Sequence, residues 1–142
     1  MSEKTTLTID QITNRLRSFD FPEVDVVVGI ATGASVPAKM IAELLSVPLR
    51  YIHINFRDDE NTPRYEKPQI LKTDDFPPES EKILLVDDVS VSGKTLKCAI
   101  DYLPDKTIYT FVLKGKADYV LFPEIRTCVN WPWMRDDRPQ SG

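Results

Sequence analysis

Four apolar residues, Ile83-Leu-Leu-Val86, run directly into the acids Asp87 and Asp88, and Ser92-Gly-Lys-Thr95 follows within a few positions. No other stretch restricts the fold so strongly. A continuous apolar run bounded by polar sequence is the pattern of a central parallel strand buried on both faces. Leu96, Ala99, Ile100 and Leu103 then recur at helical spacing until Pro104 stops them. The order is strand, acid pair, small hydroxyl-rich loop, helix, which describes the ligand-binding end of an open α/β sheet. Ser92 is the expected cap of that helix. Backbone amides of Ser92, Gly93, Lys94 and Thr95 are expected to face outward at the positive end of the helix dipole, and Gly93 lets the backbone approach a ligand closely. These are the requirements of a phosphate cradle. A Walker A loop is excluded, because that motif needs glycine five positions before Gly93 and Asp88 stands there. Ionised Asp87 and Asp88 suit hydroxyl donors instead, and vicinal ribose hydroxyls match a paired acceptor. The ligand implied is a ribose 5-phosphate.

The rest of the chain supplies the sheet and its helices. Ile9, Ile12, Leu16 and Phe19 share one face of an expected helix over 8–19. A β-branched strand over 24–30 leads through Ala31-Thr-Gly-Ala34 to a helix with Ser35 as its expected cap. After Pro48, residues 49–56 alternate in period two, with His53 on the polar face. Residues 57–68 are almost wholly polar and are expected to form a long mobile loop. Gln69–Lys72 is expected to return antiparallel, and Thr107–Leu113 reads as a further strand. Strands alternating with helices give the fold class α/β, a central, mostly parallel twisted sheet flanked by helices. With 142 residues and no internal repeat, one domain spanning 1–142 is expected, with a frayed tail over about 135–142.

Composition removes several alternatives. Eighteen Lys plus Arg against twenty-two Asp plus Glu leave a net charge of -4, so no general basic field attracts nucleic acid. No apolar run approaches the ~20 residues of a membrane helix. The first ten residues hold no apolar leader, so no membrane partner and a cytoplasmic location are expected. Cys98 and Cys128 form no CxxC, and His53 is the sole histidine, which leaves a structural zinc site short of ligands. Cys98, on the helix after the phosphate loop, is expected to be a small buried residue.

Val86-Asp-Asp-Val-Ser-Val-Ser-Gly-Lys-Thr95 resembles the signature with which type I phosphoribosyltransferases bind 5-phosphoribosyl 1-pyrophosphate (PRPP). Gly29-Ile-Ala-Thr-Gly-Ala-Ser-Val-Pro-Ala38 resembles their pyrophosphate loop, and residues 57–68 stand where their mobile catalytic loop lies. Within that family the chain looks most like the short bacterial and archaeal xanthine-guanine or hypoxanthine enzymes. Phe111-Val-Leu-Lys114 ends a strand where they keep a lysine for the purine 6-oxo group, and Val129-Asn-Trp-Pro-Trp133 resembles their base-covering hood, here about 114–134.

The resemblance implies transfer of the 5-phosphoribosyl group from PRPP to a nucleobase, a 6-oxopurine in the first place, with Mg²⁺ as cofactor. It implies catalytic roles for Asp87, Asp88, Arg64, Tyr65 and Lys67, and 5′-phosphate binding by Val91, Ser92, Gly93, Lys94 and Thr95. It implies pyrophosphate binding by Ala31, Thr32, Gly33 and Ala34, and base binding by Lys114, Cys128, Val129 and Trp131. Asp87 and Asp88 would meet the metal indirectly, through ribose hydroxyls or water. Partners would be PRPP, a nucleobase or nucleotide, and further copies of the chain in a dimer or tetramer. Three positions depart from the pattern: Val91 replaces a base-facing aspartate, Thr32-Gly33-Ala34 replaces a basic residue and two glycines, and Cys128 replaces the stacking aromatic. Valine can neither take a proton nor hydrogen-bond a base. The departures support an alternative, a non-catalytic protein on this fold that binds PRPP or a nucleotide and reports it to a partner.

Overall fold

The structure, a computed structural model, describes residues 5–31, 33–55, 69–73, 81–90, 93–103, 106–127 and 129–133. Its elements in chain order are β1 (Thr5–Thr6), α1 (Ile9–Arg17), β2 (Val26–Ala31), α2 (Ser35–Leu45), β3 (Leu49–Asn55) and β4 (Gln69–Thr73). They continue with β5 (Lys82–Ser90), α3 (Lys94–Tyr102), β6 (Thr107–Gly115), β7 (Tyr119–Val120) and β8 (Val129–Asn130). Six strands form the central sheet in the order β4-β3-β2-β5-β6-β7, and every pair is parallel except β3 with β4. The expected α/β class and the antiparallel return over Gln69–Thr73 are both present.

Alternation along the central strands sorts the core into two layers. Val27 on β2, Leu84 and Val86 on β5, and Phe111 and Leu113 on β6 face α1 and α2. Val26, Val28 and Ile30 on β2, Ile83 and Leu85 on β5, and Val112 on β6 face Leu96, Ala99 and Leu103 of α3. Both layers are closed to solvent, so β2 and β5 are apolar on each side, as a parallel sheet covered by helices requires.

Local chemistry sets the element ends. Thr8 and Gln11 form a reciprocal capping box at the start of α1, which ends at Arg17, with Ser18 as its C-terminal cap, rather than running to residue 19. Burial of Ile12 and Leu16 holds this helix to the sheet, each worth roughly 1.5–3 kcal/mol. Asp25 accepts the backbone amides of Glu81 at 3.0 Å and Lys82 at 2.9 Å, tying the entry of β2 to the entry of β5. These two hydrogen bonds, Lys82 first, hold its carboxyl below the ordinary carboxylate value.

Four expectations change. The strand expected over Ile83–Val86 continues to Ser90, because β6 runs on to Gly115 and pairs with it, Asp87 opposite Val112 and Val89 opposite Lys114. Ser35 does not cap its helix. Ser35 is already the first helical residue after Ala34, and α3 starts after Gly93 without a side-chain cap, while Ser92 lies outside the described residues. Cys98 is partly exposed rather than buried, since Leu96 and Ala99 form the buried face of α3. Lys114 lies on β6, and Tyr119–Val120 joins the central sheet as an edge strand, so the stretch after residue 114 begins as sheet.

Candidate active site

Strand order reverses between β2 and β5. The connection from β2 leads through α2 to β3 on one side, and that from β5 leads through α3 to β6 on the other. A crevice at the carboxyl ends of the two strands is the physical consequence of this reversal. The loop after β2 carries Gly33, and the end of β5 carries Asp88, and the two meet there. A Cβ on Gly33 would lie 2.8 Å from Asp88 Oδ2, so any side chain at position 33 collides with the carboxylate.

The acid pair is braced by its own backbone. The Asp88 amide donates to Asp87 Oδ1 at 2.8 Å, and the Val89 amide donates to Asp88 Oδ1 at 2.8 Å. Asp87 is buried, 7 % exposed, and Asp88 is half-buried. Burial pushes the Asp87 carboxyl well above its ordinary value, and the adjacent Asp88 charge adds to the shift. Two neighbouring carboxylates therefore differ: one retains its proton to higher pH, and the other meets solvent. The continuation of β5 past Val86 produces this difference, because it draws Asp87 into the layer beneath α3.

Gly33 follows β2 and Gly93 follows β5. Gly93 has φ +80°, a left-handed conformation that glycine adopts at no steric cost, and its carbonyl accepts the Lys97 amide at 2.9 Å as α3 begins. Lys94 is exposed and Thr95 half-buried on the first turn of this helix. Ala31 and Ala34 are buried on either side of the loop after β2, and the Ala34 amide donates to the Ile30 carbonyl at 3.1 Å. Lys114 is half-buried on β6, level with Val89.

The expected base-binding residues lie further along the chain. Val129 is half-buried on β8, which pairs with β1 in register Thr5 to Val129 and Thr6 to Asn130. Trp131 is 6 % exposed within the core layer that also contains Ala34 and Val86, and its indole stacks parallel on Trp133 at 5.5 Å between ring centres. Thr32, Arg64, Tyr65, Lys67, Val91, Ser92 and Cys128 fall outside the described residues, as does the loop over 57–68.

Sequence reasoning passed over one polar group at this site. Ser90, at the end of β5, is 5 % exposed, and its hydroxyl has no hydrogen-bond partner among the described residues. An unpaired buried hydroxyl is costly. The signal was a serine two residues past the acid pair, which reads as loop unless β5 is known to extend that far. Among the described residues, no three His, Cys, Asp or Glu gather to hold a metal ion, and no helix is long and apolar enough to cross a membrane.

Comparison with known proteins agrees with this architecture. The family described as phosphoribosyl transferase domain matches residues 7–110. A purine phosphoribosyltransferase from Pyrococcus horikoshii Ot3 superposes with a TM-score of 0.70 at 27 % identity, over 93 % of this chain and 94 % of that one. The bifunctional protein PyrR of Acetivibrio thermocellus is 43 % identical over 75 residues, 48 % of this chain and 41 % of that protein. An orotate phosphoribosyltransferase of Sulfurisphaera tokodaii is 31 % identical over 96 residues, 68 % of this chain and 43 % of that protein. The chain thus spans less than half the length of these two relatives.

Proposed function

The chain belongs to the phosphoribosyl transferase domain family, and from that premise we propose that it transfers the 5-phosphoribosyl group of PRPP to a 6-oxopurine, releasing pyrophosphate. The observation that carries this reading is the approach of Gly33 to Asp88 where the strand order reverses. It brings the loop after β2 and a half-buried carboxylate of β5 together. A phosphoribosyl pyrophosphate has groups for each: the pyrophosphate for the loop over Ala31, Thr32, Gly33 and Ala34, the ribose hydroxyls for Asp87 and Asp88, and the 5′-phosphate for residues 91–95.

In the reaction, the bond from C1 of the ribose to the pyrophosphate oxygen breaks while a ring nitrogen of the base forms its bond to C1, and the proton that this nitrogen gives up passes to the leaving pyrophosphate or to solvent. Charge develops on the ribose as in glycoside hydrolysis. Asp88 accepts a ribose hydroxyl, and its negative charge beside the ring favours the cationic transition state. Asp87 holds the Asp88 backbone in place through its own hydrogen bond. Lys114 offers a donor to the exocyclic oxygen of the base, and Val129 with Cys128 and Trp131 forms the wall on which the base rests. Arg64, Tyr65 and Lys67 close over the pyrophosphate and exclude water, which limits hydrolysis of PRPP.

Mg²⁺ fits this set as an ion that arrives with its substrate. The acid pair offers only oxygen donors, and magnesium is commonly held by one or two carboxylates together with substrate phosphates. Asp87 and Asp88 would hold it through ribose hydroxyls or water, and it would supply charge neutralisation on the leaving pyrophosphate.

A second reading is binding without turnover, with the result reported to a partner. Val91 and the Thr32-Gly33-Ala34 loop favour it, since both remove polar groups that the purine enzymes are expected to use. One experiment separates the two. The protein is incubated with PRPP, Mg²⁺ and a mixture of purine and pyrimidine bases, and products are read by mass spectrometry beside an Asp88→Asn variant. A nucleoside monophosphate that falls at least about a hundredfold in the variant is expected. No product, with PRPP binding still measured by calorimetry, overturns transfer in favour of binding alone.

A further inference from the structure

The segment from Phe122 to Trp133 is anchored in the core by Phe122 and Trp131 and is joined to the chain's N-terminal elements by a second set of contacts. β8 pairs with β1, the Leu7 amide donates to the Asn130 carbonyl at 3.3 Å, and the Thr5 and Thr127 hydroxyls share a hydrogen bond at 2.5 Å. On α1, Arg15 Nη2 donates to both carboxylate oxygens of Glu124, at 2.7 and 2.8 Å. The same guanidinium lies over the Phe122 ring, 4.7 Å from its centre. An open groove of about 430 Å³ lined by Leu7, Gln11, Arg15, Phe122 and Glu124 runs along this seam, so the contacts of Arg15 bridge a gap between α1 and the segment. Trp131, Ala34 and Val86 share one core layer, which connects the segment to both sides of the crevice.

We infer that Arg15 is a positioning residue: clamped to Glu124 and stacked on Phe122, it lets α1 set where the base-covering segment sits. The inference rests on the reading of Val129 and its neighbours as the wall for the nucleobase. Arg15 touches no substrate itself. A guanidinium suits this task because its planar fork matches a carboxylate while its face lies on an aromatic ring, and a lysine can reproduce only the charge. Both partners are accessible, with side chains 41 % and 55 % exposed, so exchanging them places no charge in the core.

The test uses the full chain with Arg15→Ala, Arg15→Lys and the exchange Arg15→Glu with Glu124→Arg. The chain's two tryptophans, Trp131 and Trp133, both lie in the segment, so acrylamide quenching of their fluorescence reads its position without any assay of activity. In Arg15→Ala, quenching is expected to rise by about half or more. The KM for the base is expected to rise roughly three- to tenfold, the loss of one exposed ion pair and one cation–π contact, while the KM for PRPP stays within about twofold. Arg15→Lys falls between the two, and the exchange, which returns the ion pair without the guanidinium over Phe122, restores both readouts in part. Unchanged quenching in Arg15→Ala overturns the inference, and so does equal loss of affinity for base and PRPP, which marks a general folding defect. Should the chain prove to transfer nothing, the quenching series and its restoration still decide whether Arg15 positions the segment.

Discussion

Asp87 and Asp88 are held by the middle of the sheet, whereas the segment carrying Val129 is held at its margin. β5 has parallel neighbours on both sides, and Ile83, Leu84, Leu85 and Val86 before the acids are wholly buried. The segment over 122–133 is anchored below by Phe122 and Trp131, and its links to the start of the chain include a two-residue strand pair, a hydroxyl contact and an exposed ion pair. Burial of one large apolar side chain is worth roughly 1.5–3 kcal/mol, and a surface ion pair about 0–1 kcal/mol. The acid pair therefore rests on a row of wholly buried side chains, whereas residues 122–133 combine two buried anchors with contacts worth far less.

Leu84→Ala attacks the first region and should have the largest effect, about 3 kcal/mol of lost stability by urea titration, because a wholly buried leucine leaves a cavity between two helix-covered faces. A loss below about 1 kcal/mol would mean that β5 is not the rigid half of this contrast. Asp87→Asn sharpens the same region in the other direction. The folded chain binds the Asp87 proton more tightly than the unfolded chain does, so its carboxylate weakens the fold increasingly as pH rises from the ordinary value of 3.8 through the raised one. The amide keeps an oxygen for the Asp88 backbone without that charge. Asp87→Asn should raise the melting temperature by roughly 3–6 °C at pH 8, and the advantage should vanish near pH 4. An advantage independent of pH would show that burial of the charge is not its source. Thr127→Val addresses the margin and should cost least, about 1 kcal/mol or under, by leaving the Thr5 hydroxyl without its partner. A cost equal to that of Leu84→Ala would erase the distinction between the two regions.

The same distinction decides what the sequence could reveal. The apolar runs of β2 and β5 and the helical spacing of α1 and α3 are local patterns, and each has its counterpart in the structure. The extension of β5 through Asp87 and Asp88 was hidden, because paired carboxylates in a row read as the end of a strand. Only the register with β6 makes them part of it. β1, β7 and β8 are two residues each, too short for any periodicity. The approach of Gly33 to Asp88 and the clamp of Arg15 on Glu124 join residues far apart in the chain, and no spacing rule announces either. At the crevice itself, the glycines and acids were legible by type, and their mutual contact was not.

The hydroxyl contact between Thr5 and Thr127 spans 122 residues of chain. Closing a loop of that length in an unfolded chain costs conformational entropy that grows with the logarithm of its length, more than one hydrogen bond and two strand residues can offset. Once β2, β5 and β6 have paired, the sheet has shortened the path between the two ends, and the remaining closure is small. The contact that clasps the cover to the start of the chain is thus favourable only as the last act of assembly, and it depends thermodynamically on the sheet beneath it.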